Sequence, residues 1–173
     1  NKYKNMKHIL TLTFLIVLMV LPAQELKIMS YNIKLDSPKE GKNSWTNRKP
    51  FFINQIKFYE PDVLGVQESM PNQMKEMDSL LVAYSFVGVG RDDGKDAGEY
   101  SAIFYKNEKL KVIESETFWL SETPDKVSMG WDAVCNRVCT YALFEEIETG
   151  KKFYMFNTHF DHVGEVARVK SAL

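Results

Sequence analysis

Three polar residues follow apolar, strand-like segments of the sequence: Asn32, Glu68 and His159. An imidazole can donate a hydrogen bond to an anion or move a proton near neutral pH. Side chains at one edge of a sheet can converge, so we expect these three residues to form a common site. Each also has a structural explanation: Asn32 as a turn former, Glu68 as a solvated acid at a helix start, and His159 as a hydrogen-bonded, half-buried imidazole.

The last of these positions belongs to a dense polar run, Asn157-Thr158-His159-Phe160-Asp161-His162. One short segment thus offers two imidazoles and a carboxylate, which are groups that can hydrogen-bond a phosphoryl oxygen or transfer a proton. Asp161 and His162 either orient His159 or approach a substrate. Of the two, we expect His162 to be the substrate contact.

Arg91 is a further candidate, and it lies in an Asp-rich loop. A guanidinium can bind a phosphate through two parallel hydrogen bonds. It can equally form an ion pair with the neighbouring Asp92 or Asp93. The sequence leaves both alternatives open.

The segments that carry these residues have the periodicities of helices and strands. Apolar residues at i, i+4 and i+7 predict a helix over residues 47–60, and a second helix begins at Ser69, with Pro71 in its first turn. A third helix begins near Glu165. Strands are predicted at residues 26–33, 62–68, 85–89, 101–105, 110–118, 134–144 and 153–159. This mixture predicts an α/β sandwich, with helices packed on predominantly antiparallel sheets.

The first 24 residues have the layout of a signal peptide. Three lysines precede the apolar run from Ile9 to Leu21. That run has 13 residues, whereas a membrane-spanning helix needs about 20, so we expect no stable membrane anchor. The predicted organisation is a signal peptide over residues 1–24 and the N-terminal part of a domain over residues 25–173, in a secreted or periplasmic protein.

Charge and cysteine content narrow the possible functions. Beyond residue 24 the chain carries 19 basic and 23 acidic residues, a formal net charge of −4. Affinity for duplex DNA comes mainly from phosphates neutralised by Lys and Arg, so this charge favours a small phosphate ester over DNA.

Cys135 and Cys139 are separated by roughly 13 Å along a predicted strand, and a disulfide needs Cα atoms within about 7 Å. Both are predicted to be free, buried thiols.

Five runs are spread from residue 26 to the end of the sequence: MSYNIK (29–34), PDVLGVQE (61–68), GVGRDDGKDAGEYSAIFY (88–105), FWLSETPD (118–125) and FNTHFDHVGEVAR (156–168). Together they resemble a bacterial, often secreted, branch of the endonuclease/exonuclease/phosphatase superfamily. The resemblance implies a four-layer α/β sandwich of the DNase I-like type, with the active site at one rim of two sheets. It also implies hydrolysis of a phosphate ester, with a phosphodiester favoured, by a water oriented on Mg²⁺ or Mn²⁺.

The resemblance also implies roles for the candidate residues. Glu68 is the expected metal ligand, Asn32 helps to hold the scissile phosphate and the water shell of the metal, and His159 contacts the phosphate. Mg²⁺ keeps several waters and is commonly bound by one or two carboxylates plus substrate phosphate, so a single Glu is sufficient as first ligand. Arg91 and His162 are the expected substrate-binding residues.

Family members carry two further motifs: a Gly-Asp-x-Asn run after the helix that begins near Glu165, and a terminal Asp-His pair that supplies metal binding and the general base. We expect both motifs to lie beyond Leu173, in a longer protein, and the present chain to be inactive alone. The alternative from a different functional class is a non-catalytic extracellular binding module that keeps the sandwich fold.

Overall fold

The computed structural model describes residues 25–173, and the predicted signal peptide lies outside these described residues. Within them the regular elements are β1 (Ile28–Asn32), α1 (Trp45–Tyr59), β2 (Val63–Ser69), α2 (Pro71–Leu80), β3 (Tyr84–Val87), β4 (Tyr100–Lys106), β5 (Leu110–Trp119), β6 (Val138–Glu146), β7 (Lys152–Thr158) and α3 (Glu165–Ser171). A 3₁₀ segment, Pro38–Asn43, precedes α1. No helix in the described range is long and apolar enough to cross a membrane.

The strands form two sheets. In the first sheet the strand order is β1-β2-β4-β3, and in the second it is β5-β6-β7. Only β1 and β2 pair in parallel among the described strands, and the other pairs are antiparallel. A parallel pair needs a crossover connection, which α1 provides here. The prediction of predominantly antiparallel sheets is therefore confirmed.

Two apolar clusters define the layers of the fold. Phe52 and Ile56 lie on the same face of α1, because an α-helix repeats every 3.6 residues. Together with Met77 of α2 they pack against Phe104 of the first sheet. The second cluster fills the space between the two sheets and contains Val63, Ile103, Leu110, Ala142 and Phe144. The layers therefore run from helices to the first sheet to the second sheet, which confirms the predicted α/β sandwich.

The strand predicted at residues 134–144 is too long, since β6 begins four residues later. The first four residues of the predicted strand, 134–137, lie in a loop instead. In this loop the backbone N–H of Val134 donates to the carboxylate of Asp161. This long-range contact has no local sequence signal. Cys135 lies in the same loop and Cys139 in β6. Both are free thiols, as predicted, but only Cys139 is buried, because the loop leaves Cys135 partly exposed.

The start of the second helix also differs from the prediction. Ser69 is the last residue of β2 and does not cap the helix, which begins at Pro71. The N-cap is Met70, whose backbone N–H donates to Oε1 of Gln73 at 3.0 Å. Ser69 is kept in the strand by its pairing with Tyr100 of β4.

Candidate active site

The central carboxylate of the site lies at an irregularity of β2. Val66 pairs with Ala102 and Ser69 pairs with Tyr100, so that β2 has one residue more than β4 between these two pairs. Such a β-bulge redirects a side chain at the end of a strand. Glu68 lies within the bulge and has a φ of 60°, a left-handed conformation that costs a non-glycine residue about 1–3 kcal/mol.

Asn32, at the end of β1, orients this carboxylate. Its Nδ2 donates to Oε1 of Glu68 at 2.7 Å, and its own Oδ1 accepts from the backbone N–H of Lys34 at 3.0 Å. The backbone N–H of Leu35 donates to Oε2 of Glu68 at 3.3 Å. Both carboxylate oxygens therefore have a donor from β1 or from the loop that follows it.

His159, directly after β7, brings an imidazole to the same carboxylate. Its Nε2 lies 3.9 Å from Oε1 of Glu68, and its buried Nδ1 has no hydrogen-bond partner among residues 25–173. Burial and the charge of Arg137 lower the pKa of His159, although Glu68 opposes them. Burial raises the pKa of Glu68, but hydrogen bonds from Asn32 and Leu35 outweigh it and leave the pKa below its ordinary value. A neutral imidazole thus lies beside an ionised carboxylate near pH 7.

Arg137 is a site residue to which the sequence assigns no role, since it lies within the strand predicted at residues 134–144. Its side chain is 5% exposed, and its Nε donates to Oδ2 of Asp161 at 3.2 Å. Its Nη2 lies 3.0 Å from Nδ1 of His162. A guanidinium has only donors, so Nδ1 of His162 must accept, and the ring proton is assigned to Nε2. This arrangement makes Nε2 of His162 a hydrogen-bond donor.

Asp161 is buried and holds the guanidinium of Arg137 in place. Its Oδ1 accepts from the backbone N–H groups of Val163 and Gly164 at 2.9 and 2.7 Å. Burial raises the pKa of Asp161, but these backbone hydrogen bonds and the Arg137 guanidinium outweigh it and hold the pKa well below its usual range. Of the two roles considered from the sequence, orienting a neighbour is the one observed, and that neighbour is Arg137 rather than His159.

Arg91 has an ion-pair partner that the sequence did not indicate. Its guanidinium binds Glu99 through two hydrogen bonds, of 2.8 and 3.1 Å. Asp92 is more distant, since its Oδ1 lies 4.0 Å from Nε of Arg91. Asp93 instead accepts hydrogen bonds from backbone N–H groups within the loop. Trp119 supports the loop by donating from Nε1 to the carbonyl of Arg91. Arg91 is therefore fixed by protein groups, and its charge is balanced.

These side chains surround one pocket of about 300 Å³. It is lined by Leu35, Glu68, Arg91, Glu99, Cys135, Arg137, His159 and His162. Both sheets contribute to it, because Glu68 is the last residue but one of β2 and His159 directly follows β7. Four of the five residues predicted from the sequence thus line the pocket, and the fifth, Asn32, reaches it through its hydrogen bond to Glu68.

The donor atoms of the pocket suit a hard cation. The described residues contain no group of three or more His, Cys, Asp or Glu side chains that could enclose a metal. Glu99 is engaged by Arg91, which leaves Glu68 as the carboxylate available for a cation. Mg²⁺ and Mn²⁺ prefer oxygen ligands, and Mg²⁺ commonly binds through one or two carboxylates together with waters and substrate phosphate. The residues present fit such an ion.

The fold and the position of the pocket define the class of protein, a DNase I-like α/β sandwich with its site at one rim of the sheets. No family model matches the chain. The solved endonuclease/exonuclease/phosphatase from Bacteroides vulgatus is 47% identical, with a TM-score of 0.84 over 87% of this chain and 58% of that chain. A mannosyl-6-phosphatase from Bacteroides thetaiotaomicron is 43% identical, with a TM-score of 0.83 over 86% of this chain and 56% of that chain.

A curated relative, an uncharacterized protein of Acanthamoeba polyphaga mimivirus, is 33% identical over 130 residues, which are 68% of this chain and 46% of that protein. The resemblance identified from the five sequence runs is thus confirmed. The chain belongs to the endonuclease/exonuclease/phosphatase superfamily. It spans about half the length of the relatives it matches.

Proposed function

We propose that the full-length protein hydrolyses phosphate esters of small molecules in a reaction that depends on Mg²⁺ or Mn²⁺. The observation that carries this proposal is the convergence of Glu68, His159 and Arg137 on one pocket at the rim of both sheets. An ionised carboxylate there can hold a cation, and the imidazole and the guanidinium can bind phosphate oxygens.

The comparisons and the charge of the chain support this choice of substrate. The family includes hydrolases of phosphate esters, and a 43% identical member is described as a mannosyl-6-phosphatase. The net charge of −4 beyond residue 24 argues against a duplex DNA backbone as substrate. A sugar phosphate or a similarly small ester is therefore our first candidate, ahead of the phosphodiester that the sequence resemblance favoured.

Each residue of the pocket has a defined task in this proposal. A Mg²⁺ ion held by Glu68 would supply polarisation of the phosphoryl group and orientation of a water. Asn32 holds the Glu68 carboxylate through the 2.7 Å hydrogen bond to Oε1. Neutral His159 can hydrogen-bond a phosphoryl oxygen or take part in a proton transfer at Nε2.

Two further donors complete the binding of a phosphate. Arg137 uses Nε and Nη2 for Asp161 and His162, and its Nη1 makes no hydrogen bond to another described residue. His162 has its ring proton at Nε2, as its contact with Arg137 requires. These two groups would bind the remaining phosphate oxygens, in agreement with the predicted role of His162. Arg91, whose guanidinium is engaged by Glu99, supports the pocket wall and contributes a weaker contact.

The test is a substrate panel with the full-length protein. Mannose 6-phosphate, p-nitrophenyl phosphate, bis-p-nitrophenyl phosphate and plasmid DNA are incubated with Mg²⁺, with Mn²⁺ and with EDTA. We expect turnover of small esters that EDTA abolishes and that Mg²⁺ or Mn²⁺ restores. Binding of phosphate esters with no turnover under any condition would instead support the non-catalytic binding module.

We also propose that the protein is exported, since residues 1–24 have the layout of a signal peptide. Expression of the full reading frame in a Gram-negative host, followed by fractionation and N-terminal sequencing, tests this. A periplasmic protein that begins near residue 25 is the expected result. Retention of the complete N-terminus in the cytoplasm would contradict it.

A further inference from the structure

One buried amide side chain connects the two sheets next to the pocket. Asn157 of β7 is 4% exposed, and its Nδ2 donates to the carbonyl oxygens of Val66 at 2.9 Å and Ala102 at 2.8 Å. Its Oδ1 accepts from Nε2 of Gln67 at 2.6 Å. A residue of the second sheet thus binds two neighbouring strands of the first sheet, through both hydrogens of its amide.

The atoms that Asn157 contacts lie at the β-bulge that contains Glu68. Val66 and Ala102 form the last regular pair of β2 and β4 before the extra residue of β2, and Gln67 directly precedes Glu68. The amide therefore binds the ladder at the position where its register changes. Asn157 of β7 also lies two residues before His159. Its side chain therefore connects the strand that leads to His159 with the bulge that contains Glu68.

The sequence of β2 leaves space for this amide. A Cβ atom added at Gly65 would lie 2.9 Å from both Cγ and Oδ1 of Asn157, a distance at which one of the two groups must move. Gly65 has no positive φ that would otherwise require glycine. The glycine is thus explained by the close approach of Asn157 and not by backbone conformation.

We propose that Asn157 is a positioning residue, which fixes the bulge of β2 and thereby the orientation of Glu68 toward the pocket and its distance from His159. This inference rests on the proposed function for the role of Glu68. An amide is required because the site needs two donors for the carbonyls and one acceptor for Gln67, and Asn provides both in a short side chain. A carboxylate at this position would face two carbonyl oxygens without a hydrogen to offer them.

Two substitutions disturb this bridge from opposite sides. Asn157→Ser shortens the side chain and removes the pair of amide hydrogens, whereas Gly65→Ala displaces the unchanged Asn157. Thr140→Val is the matched control, because Thr140 is the register partner of Asn157 on β6 and is also fully buried. Its hydroxyl forms a part-buried hydrogen bond with Thr117 of the same sheet, so the control loses this bond without touching the bulge.

The experiment measures Mn²⁺ affinity by calorimetry, kcat/KM with Mg²⁺, and the crystal structures of the full-length variants. Residues that orient a metal ligand typically change metal affinity or activity by about 10–100-fold when they are replaced. We expect a loss in that range for Asn157→Ser and Gly65→Ala, with Glu68 displaced from its φ of 60°. Thr140→Val should lower the melting temperature and leave Mn²⁺ affinity unchanged.

A double-mutant cycle separates positioning from general destabilisation. In a Glu68→Gln background, Asn157→Ser should cause no further loss of Mn²⁺ affinity, because the group it orients is already altered. Losses that add in full, or an Asn157→Ser crystal structure with Glu68 unmoved and Mn²⁺ affinity unchanged, would overturn the inference. If the wild type lacks metal-dependent hydrolysis, the proposed function fails, and the conformation of Glu68 in the Asn157→Ser crystals still decides the role of Asn157.

Discussion

Replacement of His159 by Gln in the full-length protein distinguishes a catalytic imidazole from a structural one. The side chain is 31% exposed, and its Nδ1 is buried without a partner within the described part of the chain. Its low pKa makes it neutral near pH 7, so its 3.9 Å contact with Glu68 is not an ion pair under those conditions. The folded state therefore gains little from this histidine.

The expected magnitudes follow from these contacts. Loss of a buried hydrogen-bond partner typically costs about 1–3 kcal/mol, but His159 has no such bond to lose. We expect the free energy of unfolding to change by less than about 1 kcal/mol. A lost proton transfer or phosphate contact, in contrast, lowers kcat/KM by roughly 10²-fold or more.

The assay compares kcat/KM on the best small ester with the unfolding midpoint in urea. Lys152→Ala is the control, since this exposed residue lies at the opposite end of β7 and should change neither quantity. A His159→Gln variant with nearly unchanged kcat/KM and a clearly lowered midpoint would refute the catalytic role and restore the structural explanation.

Three further outcomes are expected. Glu68→Gln should keep the fold and remove most Mg²⁺-dependent activity, because a ligand charge is lost; activity near wild type would remove Glu68 from the site. Asp161→Asn should destabilise the protein most above about pH 4, and the difference from wild type should narrow at lower pH, because a depressed carboxyl pKa contributes stability that is lost as the pH falls through it. Urea unfolding at pH 3, 4 and 6 measures this, and a difference that is constant with pH would contradict it. The full-length protein should turn over small esters faster than plasmid DNA at physiological salt; efficient nicking with a steep salt dependence would show a DNA substrate instead.

The sequence was informative where local periodicity determines structure. The i, i+4 spacing of Phe52 and Ile56 predicted the helix that packs on the first sheet. Weak alternation predicted the strand that ends at Asn32, and a short apolar run predicted the strand that ends near Glu68. It failed at the loop before β6, whose path depends on a carboxylate 27 residues later that binds the N–H of Val134. Contacts between residues distant in sequence leave no periodic pattern.

In the candidate site, too, the residues marked by local sequence were predicted, and those placed by long-range contacts were not. Polar residues at strand ends pointed to Glu68 and His159, because the ends of neighbouring strands meet at one rim. Arg137 was missed, since its position depends on Asp161 and on the start of β6, neither of which local sequence specifies. The partner of Arg91 was also missed, because Glu99 is brought to it by the turn between β3 and β4.

The distribution of charge explains why a metal is expected at this site at all. Each guanidinium of the pocket already has a carboxylate partner: Arg91 binds Glu99, and Arg137 binds Asp161. Glu68 has no such cation partner, because His159 is neutral near pH 7, so the pocket keeps one negative charge. A phosphate dianion would be repelled by that charge, whereas a divalent cation at Glu68 would reverse the local sign. The two paired arginines would then serve as fixed hydrogen-bond donors, and a divalent cation held by Glu68 would supply the attraction for a phosphate ester.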